Sequence, residues 1–165
     1  MMGMSASFYR VSNSMLQTIM SNIDDIDEIL YESQEIQDTE LDIDKSWHGI
    51  YFLLTGDASF ETANQSLAGQ AILGGDEIGE EQGYGPLRFL PASKVIEIHR
   101  ELSSISVSEL ASRFHLEKIN KEEIYPSEGN WTEEDRDYLV EHYAELVKFY
   151  QIAASNEESI LLLMH

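Results

Sequence analysis

The 165 residues, 42% hydrophobic and 10% aromatic, supply a core for one domain, taken as residues 1–165, and exclude wholesale disorder. The absence of cysteine excludes disulfide frameworks, thiolate zinc sites and cysteine nucleophiles, and agrees with a reducing compartment. A formal net charge of −21 opposes phosphate backbones and anionic lipid, so neither nucleic acid nor a membrane is expected as a partner.

In chain order, Met4 to Val11 alternates as a first strand does. Ser12 to Ser14 offers an N-cap for a helix carrying Met15, Leu16, Ile19 and Ile23, and the same spacing continues through Ile26, Ile29 and Leu30 to Tyr31. Residues 32–44 are polar and acidic and are read as a loop. Trp47, Ile50, Tyr51 and Leu54 fall at helical spacing, with Gly56 placed to end the helix. A short helix is expected from Ser66 to Leu73, stopped by Gly74 and Gly75. The glycine-rich, acidic stretch Gly74 to Gly85 reads as a loop, and Pro86 to Leu90 as a short strand.

Pro91 opens a helix bearing Val95, Ile98 and Leu102. Ser106 and Glu109 form a capping-box pattern ahead of Leu110 and Phe114. After a turn at Tyr125 to Asn130, the longest helix should run from about Thr132 to Ala154, with Leu139, Tyr143, Leu146, Tyr150 and Ala153 as its buried stripe. Ser159 to Met164 reads as a buried final strand. The class is α+β: a compact domain with a small sheet that includes both terminal strands, packed with several helices.

The first residues lack the basic and apolar regions of a signal peptide, and the longest apolar run, Ile160 to Met164, is far short of the roughly 20 residues of a membrane helix. A cytoplasmic location is therefore expected. Charge is unevenly spread: residues 11–87 hold 16 acids against one base, Lys45.

Three segments, LDIDKSWHGIYFLLTG (41–56), GYGPLRFL (83–90) and IYPSEGNW (124–131), stand together with KFYQIAA (148–154) and the apolar C-terminus. In these the chain resembles the bacterial YfbM-like family of unknown function. The resemblance implies a compact α+β domain in the bacterial cytoplasm and brings no activity, cofactor or catalytic residue with it.

The candidate binding residues cluster in the same segments. Asp42, Asp44, Lys45, Trp47 and His48 form the first group. An Asp44 carboxylate at the helix start would cap it and reach His48 one turn on, a pairing able to orient an imidazole. Tyr84 and Arg88, beside Gly83 and Gly85, suit an anionic or planar group. Tyr125 and Trp131 are candidate contact aromatics.

Metal patterns fail. Asp42-x-Asp44-x-Ser46 begins like a calcium loop but has Trp47 at the required glycine and Leu53 at the final glutamate. His142 and Glu145 are half of a di-metal pattern without its second half. No catalytic residue, metal or cofactor is expected.

The function expected is a non-enzymatic binding protein that meets a basic protein partner, for instance a cationic toxin, as a monomer or homodimer. The alternative is a small-molecule binder or enzyme whose pocket uses Asp44, His48 and Arg88.

Overall fold

Both ends of the chain build the middle of one sheet. The computed structural model describes residues 3–81 and 84–165. Strand β1 (Ala6–Val11) pairs antiparallel with the last strand, Ser159–Met164, in a register that sets Phe8 opposite Leu162. Counting strands β2 (Leu41–Asp42), β3 (Asp76–Glu81), β4 (Pro86–Leu90) and β5 (Ser159–Met164), the order is β2-β1-β5-β4-β3, every neighbour antiparallel. The sheet expected to include both terminal strands does so, and it pairs them directly. β5 reads SILLLM with almost no alternation because both its faces are covered.

Successive side chains of a strand point to opposite faces, so the sheet carries two cores. On one face Phe8, Leu90, Ile160 and Leu162 pack beneath the larger helical layer. On the other, Tyr9, Val11, Ile78, Leu87, Leu161 and Leu163 meet a small layer. The small layer is α1 (Asn13–Ser21), α2 (Ile26–Glu32) and α3 (Gln34–Gln37), which contribute Ile19, Ile26, Leu30 and Ile36. The large layer comprises α4 (Trp47–Thr55), α5 (Leu67–Leu73), α6 (Ala92–Ser103), α7 (Val107–Ser112), α8 (Leu116–Lys121) and α9 (Asp135–Ser155). The stripe named on α9 is buried throughout. Tyr143 and Tyr150 anchor α9 by donating to the carbonyls of Ile105 and Ala71, each at 2.7 Å, and burial pushes the Tyr143 phenol up to about 12.

Local chemistry fixes the helix ends. The hydroxyls of Ser12, Ser66 and Ser106 accept from the backbone N–H three residues on, and Gly56 closes α4 at φ 74°. The Glu109 half of the capping box does not return to Ser106; its carboxylate meets Arg113 instead.

Four expectations are corrected. The helical run to Tyr31 breaks at Asn22, whose φ of −135° leaves helical space. The loop at 32–44 contains α3, capped by Ser33 and pinned by the buried Ile36, and the edge strand β2. The longest helix begins at Asp135, not Thr132, because the N–H groups of Asp135, Arg136 and Asp137 bond the carbonyls three residues back, those of Thr132, Glu133 and Glu134, so the first turn is tighter than an α-helix. The acidic stretch after Gly75 is strand β3, whose edge position needs only Ile78 to be buried. Gly79, at φ 73°, sits in the register shift between Ile78 and Glu81. Among the described residues no helix is long and apolar enough to cross a membrane.

Candidate functional site

The segment Leu41 to Gly56 enters α4 through a tight turn that decides where its polar groups go. Asp44 adopts φ 54°, a left-handed conformation an aspartate tolerates, and its N–H donates to Asp42 Oδ1 at 2.7 Å. The Asp44 carboxylate turns away from α4 and accepts from Tyr138 Oη at 2.7 Å, with Ser5 Oγ at 3.4 Å. That phenol hydrogen bond holds the Asp44 carboxyl below its ordinary value, while burial raises the Tyr138 phenol. The Lys45 N–H donates to the same phenol oxygen at 3.2 Å. Asp42, Asp44 and Lys45 therefore tie the entry of α4 to α9.

The expected Asp44–His48 pair does not form. Asp44 lies in a separate three-residue turn, makes no cap to α4 and points to α9. His48 is buried and both its ring nitrogens are used by the backbone. Nδ1 accepts from the Tyr125 N–H at 2.9 Å, and Nε2 lies 3.1 Å from the Ala58 carbonyl. Only the neutral ring with its proton on Nε2 satisfies both partners. Burial holds its pKa below 6.5, against smaller opposing effects of Ala58 and Glu128. No nitrogen is left to act as a general base; His48 instead fastens two loops to α4.

A pH dependence follows. Just below pH 6.5 the unfolded chain binds a proton at this histidine that the folded chain refuses. The stability present above that pH is therefore lost as pH falls from 6.5 towards the depressed folded value. Urea midpoints at about pH 7.5 and about pH 5.5 should differ more in the wild type than in a His48→Asn variant. Equal differences would contradict the assignment.

Trp47 forms the hub of an aromatic cluster. Its ring stacks on His48 at 5.3 Å and 18°, and packs against Phe60 and Tyr125 at 5.6 and 5.5 Å. Its Nε1–H donates to the Met4 carbonyl at 2.9 Å, and the Met4 N–H donates to the Tyr125 hydroxyl, so the start of the chain is strapped across Trp47. Trp131, by contrast, is 4% exposed and belongs to the core, donating Nε1–H to the Ile124 carbonyl. Its expected role as a contact aromatic is corrected: burial removes it from any partner.

Beyond Trp47 lies a half-open cavity of about 310 Å³. Trp47, Phe60, Tyr84 and Arg88 line it together with Met4 and Met164, and Glu77 reaches the same space. Phe60 and Tyr84 are half exposed, at 49% and 50%, and form its outer walls. Arg88 stands on β4 opposite Leu162 of β5, on the face covered by the large helical layer. It donates from a terminal guanidinium nitrogen to the Gly74 carbonyl at 3.0 Å. Burial pulls its pKa down, countered by Tyr150 and Glu77, yet a guanidinium keeps its charge. Gly85 lines the cavity as well, whereas Gly83 lies outside the described residues.

The fold thus brings Trp47, Tyr84 and Arg88 together and leaves Asp42, Asp44, Lys45 and Trp131 elsewhere. Tyr125 and His48 support the cavity from behind Trp47. Phe60 and Glu77 were missed in the sequence: Phe60 sits in an aperiodic loop, and Glu77 in the stretch read as one. A hollow of about 380 Å³ at the end of α4 is larger, but there Arg113 is engaged by the carbonyls of Leu53 and Leu54, closing the helix. Among the described residues no three His, Asp or Glu side chains gather as metal ligands; the His142 ring lies edge-on to Tyr138, with its Nδ1 3.0 Å from the Glu145 carboxylate.

Residues 2–163 match the family described as a domain of unknown function, DUF1877. Over 87 residues the chain is 34% identical to Protein YfbM of Escherichia coli strain K12, a match covering 52% of this chain and 51% of that protein. The chain thus spans about half the length of that curated relative in the match. The crystal structure of YfbM from Escherichia coli, titled as a protein of unknown function, shares the fold with a TM-score of 0.74 at 22% identity. That alignment covers 98% of this chain and 99% of the other.

Proposed function

This chain belongs to the DUF1877 family, a membership that carries no reaction with it, and we propose from the geometry that it is a cytoplasmic, non-enzymatic binding protein for a small organic molecule. The observation that carries this reading is the cavity in which Trp47, Tyr84 and Arg88 converge from segments distant in the sequence. Apolar walls around a few convergent polar groups are what a ligand site of this size requires. Of the pocket first drawn from the sequence, Arg88 remains; Asp44 and His48 are committed to the fold.

Trp47 reports on occupancy. In a Trp131→Phe background its fluorescence should change saturably with 3-phenylpropionate or a comparable small aromatic acid. Arg88→Ala should weaken that response about tenfold or more, the scale of losing a charge-assisted hydrogen bond. A flat response to every small acid and amino acid tried would remove the reading.

A basic protein, a cationic toxin being one instance, is the second reading. Every acid from Asp24 to Asp44 is exposed, most of them on the small helical layer, beside the exposed Ile23 and Tyr31. Such a field speeds encounter with a cation and is screened by salt. A partner retained at low salt should be released at high salt and lost when Asp24, Asp25, Asp27 and Glu28 become amides. Retention unaffected by both would contradict steering.

A further inference from the structure

The cavity carries two opposite charges that make no direct ion pair. In the β3–β4 register Glu77 stands directly opposite Arg88, and both side chains reach the cavity. Side chains so placed have Cβ atoms roughly 4.5–5.5 Å apart, near enough for an ion pair. None forms between them. Arg88 is drawn down to the Gly74 carbonyl, while Glu77 is exposed. One guanidinium N–H is thereby used, and the remaining donors are in a fork suited to a carboxylate.

Size and field narrow what fits. About 310 Å³ lies at the small end of ligand sites, typically ~300–1,000 Å³, and is too little for a dinucleotide. The strand beside Arg88 carries Asp76, Glu77 and Glu80, in a chain of net charge −21, so a phosphate or a dicarboxylate would be opposed. A molecule whose own cation offsets its carboxylate escapes that cost. The rings of Trp47, Phe60 and Tyr84, with Met4 and Met164, supply an apolar surface for the rest of it.

We propose that the cavity takes a free amino acid with an apolar side chain, its carboxylate on Arg88, its ammonium on Glu77 and its side chain against Trp47 and Phe60. This rests on the small-molecule reading above and adds the class of ligand.

Calorimetric titration with L-leucine, L-methionine and L-phenylalanine tests it. 3-Phenylpropionate, which lacks the ammonium, and phenethylamine, which lacks the carboxylate, serve as comparisons. At least one amino acid should bind about tenfold more tightly than either comparison compound. Arg88→Gln should weaken amino acid and 3-phenylpropionate alike, by about tenfold or more, whereas Glu77→Gln should weaken only the amino acid. Glu77 is an exposed strand residue, so its amide variant is expected to fold. If 3-phenylpropionate binds as well as the amino acids and Glu77→Gln changes nothing, the class is wrong while the small-molecule reading stands. If none of the five compounds binds, the class is overturned, and a flat Trp47 response to every other small acid would then take the cavity reading with it.

Discussion

Replacing Trp131 with alanine is expected to remove about 3–5 kcal/mol of folding stability, the range for truncating a large buried aromatic. The ring is 4% exposed and packs where α4 approaches α9. Its Nε1–H donates to the Ile124 carbonyl at 2.8 Å, so truncation also removes a buried hydrogen bond, leaving that carbonyl only the Glu128 N–H at 2.9 Å. The backbone around it is held independently, since the Asn120 side chain bonds both the N–H and the carbonyl of Trp131. The segment therefore has little freedom to collapse into the space left behind. Urea unfolding followed by circular dichroism measures the loss; a change below about 1 kcal/mol would mean that the ring is peripheral.

A valine at Gly49 is expected to cost about 1–3 kcal/mol by overpacking the same contact. A Cβ placed there would lie 2.7 and 2.9 Å from the two Leu139 methyl carbons and 3.2 Å from the Trp131 ring. Glycine is tolerated inside α4, against a helix penalty of about 1 kcal/mol, because it lets α9 approach. Combining Gly49→Val with Trp131→Ala removes one of the clashing partners, so the two losses should sum to less than their separate values. Strict additivity in the same urea experiment would show that the two positions do not share a contact.

These two residues also show where sequence reasoning holds and where it stops. The burial of Leu139, Tyr143, Leu146, Tyr150 and Ala153 follows from period alone, as do the serine caps and the Gly56 stop, because each depends on neighbours within one or two turns. β5 was legible for a related reason: a short apolar run suits a strand covered on both faces. β3 was not. Asp, Glu and Gly are poor strand formers, and only its partner β4 makes DEIGEE extended. Short helices such as α3 and α8 depend in the same way on a single buried residue, Ile36 or Ile119.

The site divides along the same line. Spacing placed Asp44 one turn from His48, but a helical spacing argument fails when one residue lies outside the helix at positive φ. Trp47, Tyr84 and Arg88 were each singled out, yet their meeting depends on β4 lying beside β5, which no local pattern encodes. The tautomer of His48 likewise rests on the carbonyl of Ala58 and the amide of Tyr125, the second 77 positions away.

The two tryptophans make the central claim directly measurable. The Trp47 indole N–H donates to the Met4 carbonyl at the cavity wall, and that of Trp131 donates to the Ile124 carbonyl in the core. In a two-dimensional proton–nitrogen NMR titration with L-phenylalanine and 3-phenylpropionate, the Trp47 indole and the amides of Gly74 and Arg88 should shift saturably while the Trp131 indole stays in place. Binding that leaves the Trp47 indole unmoved, or that moves only Trp131, would contradict a ligand site between Trp47 and Arg88.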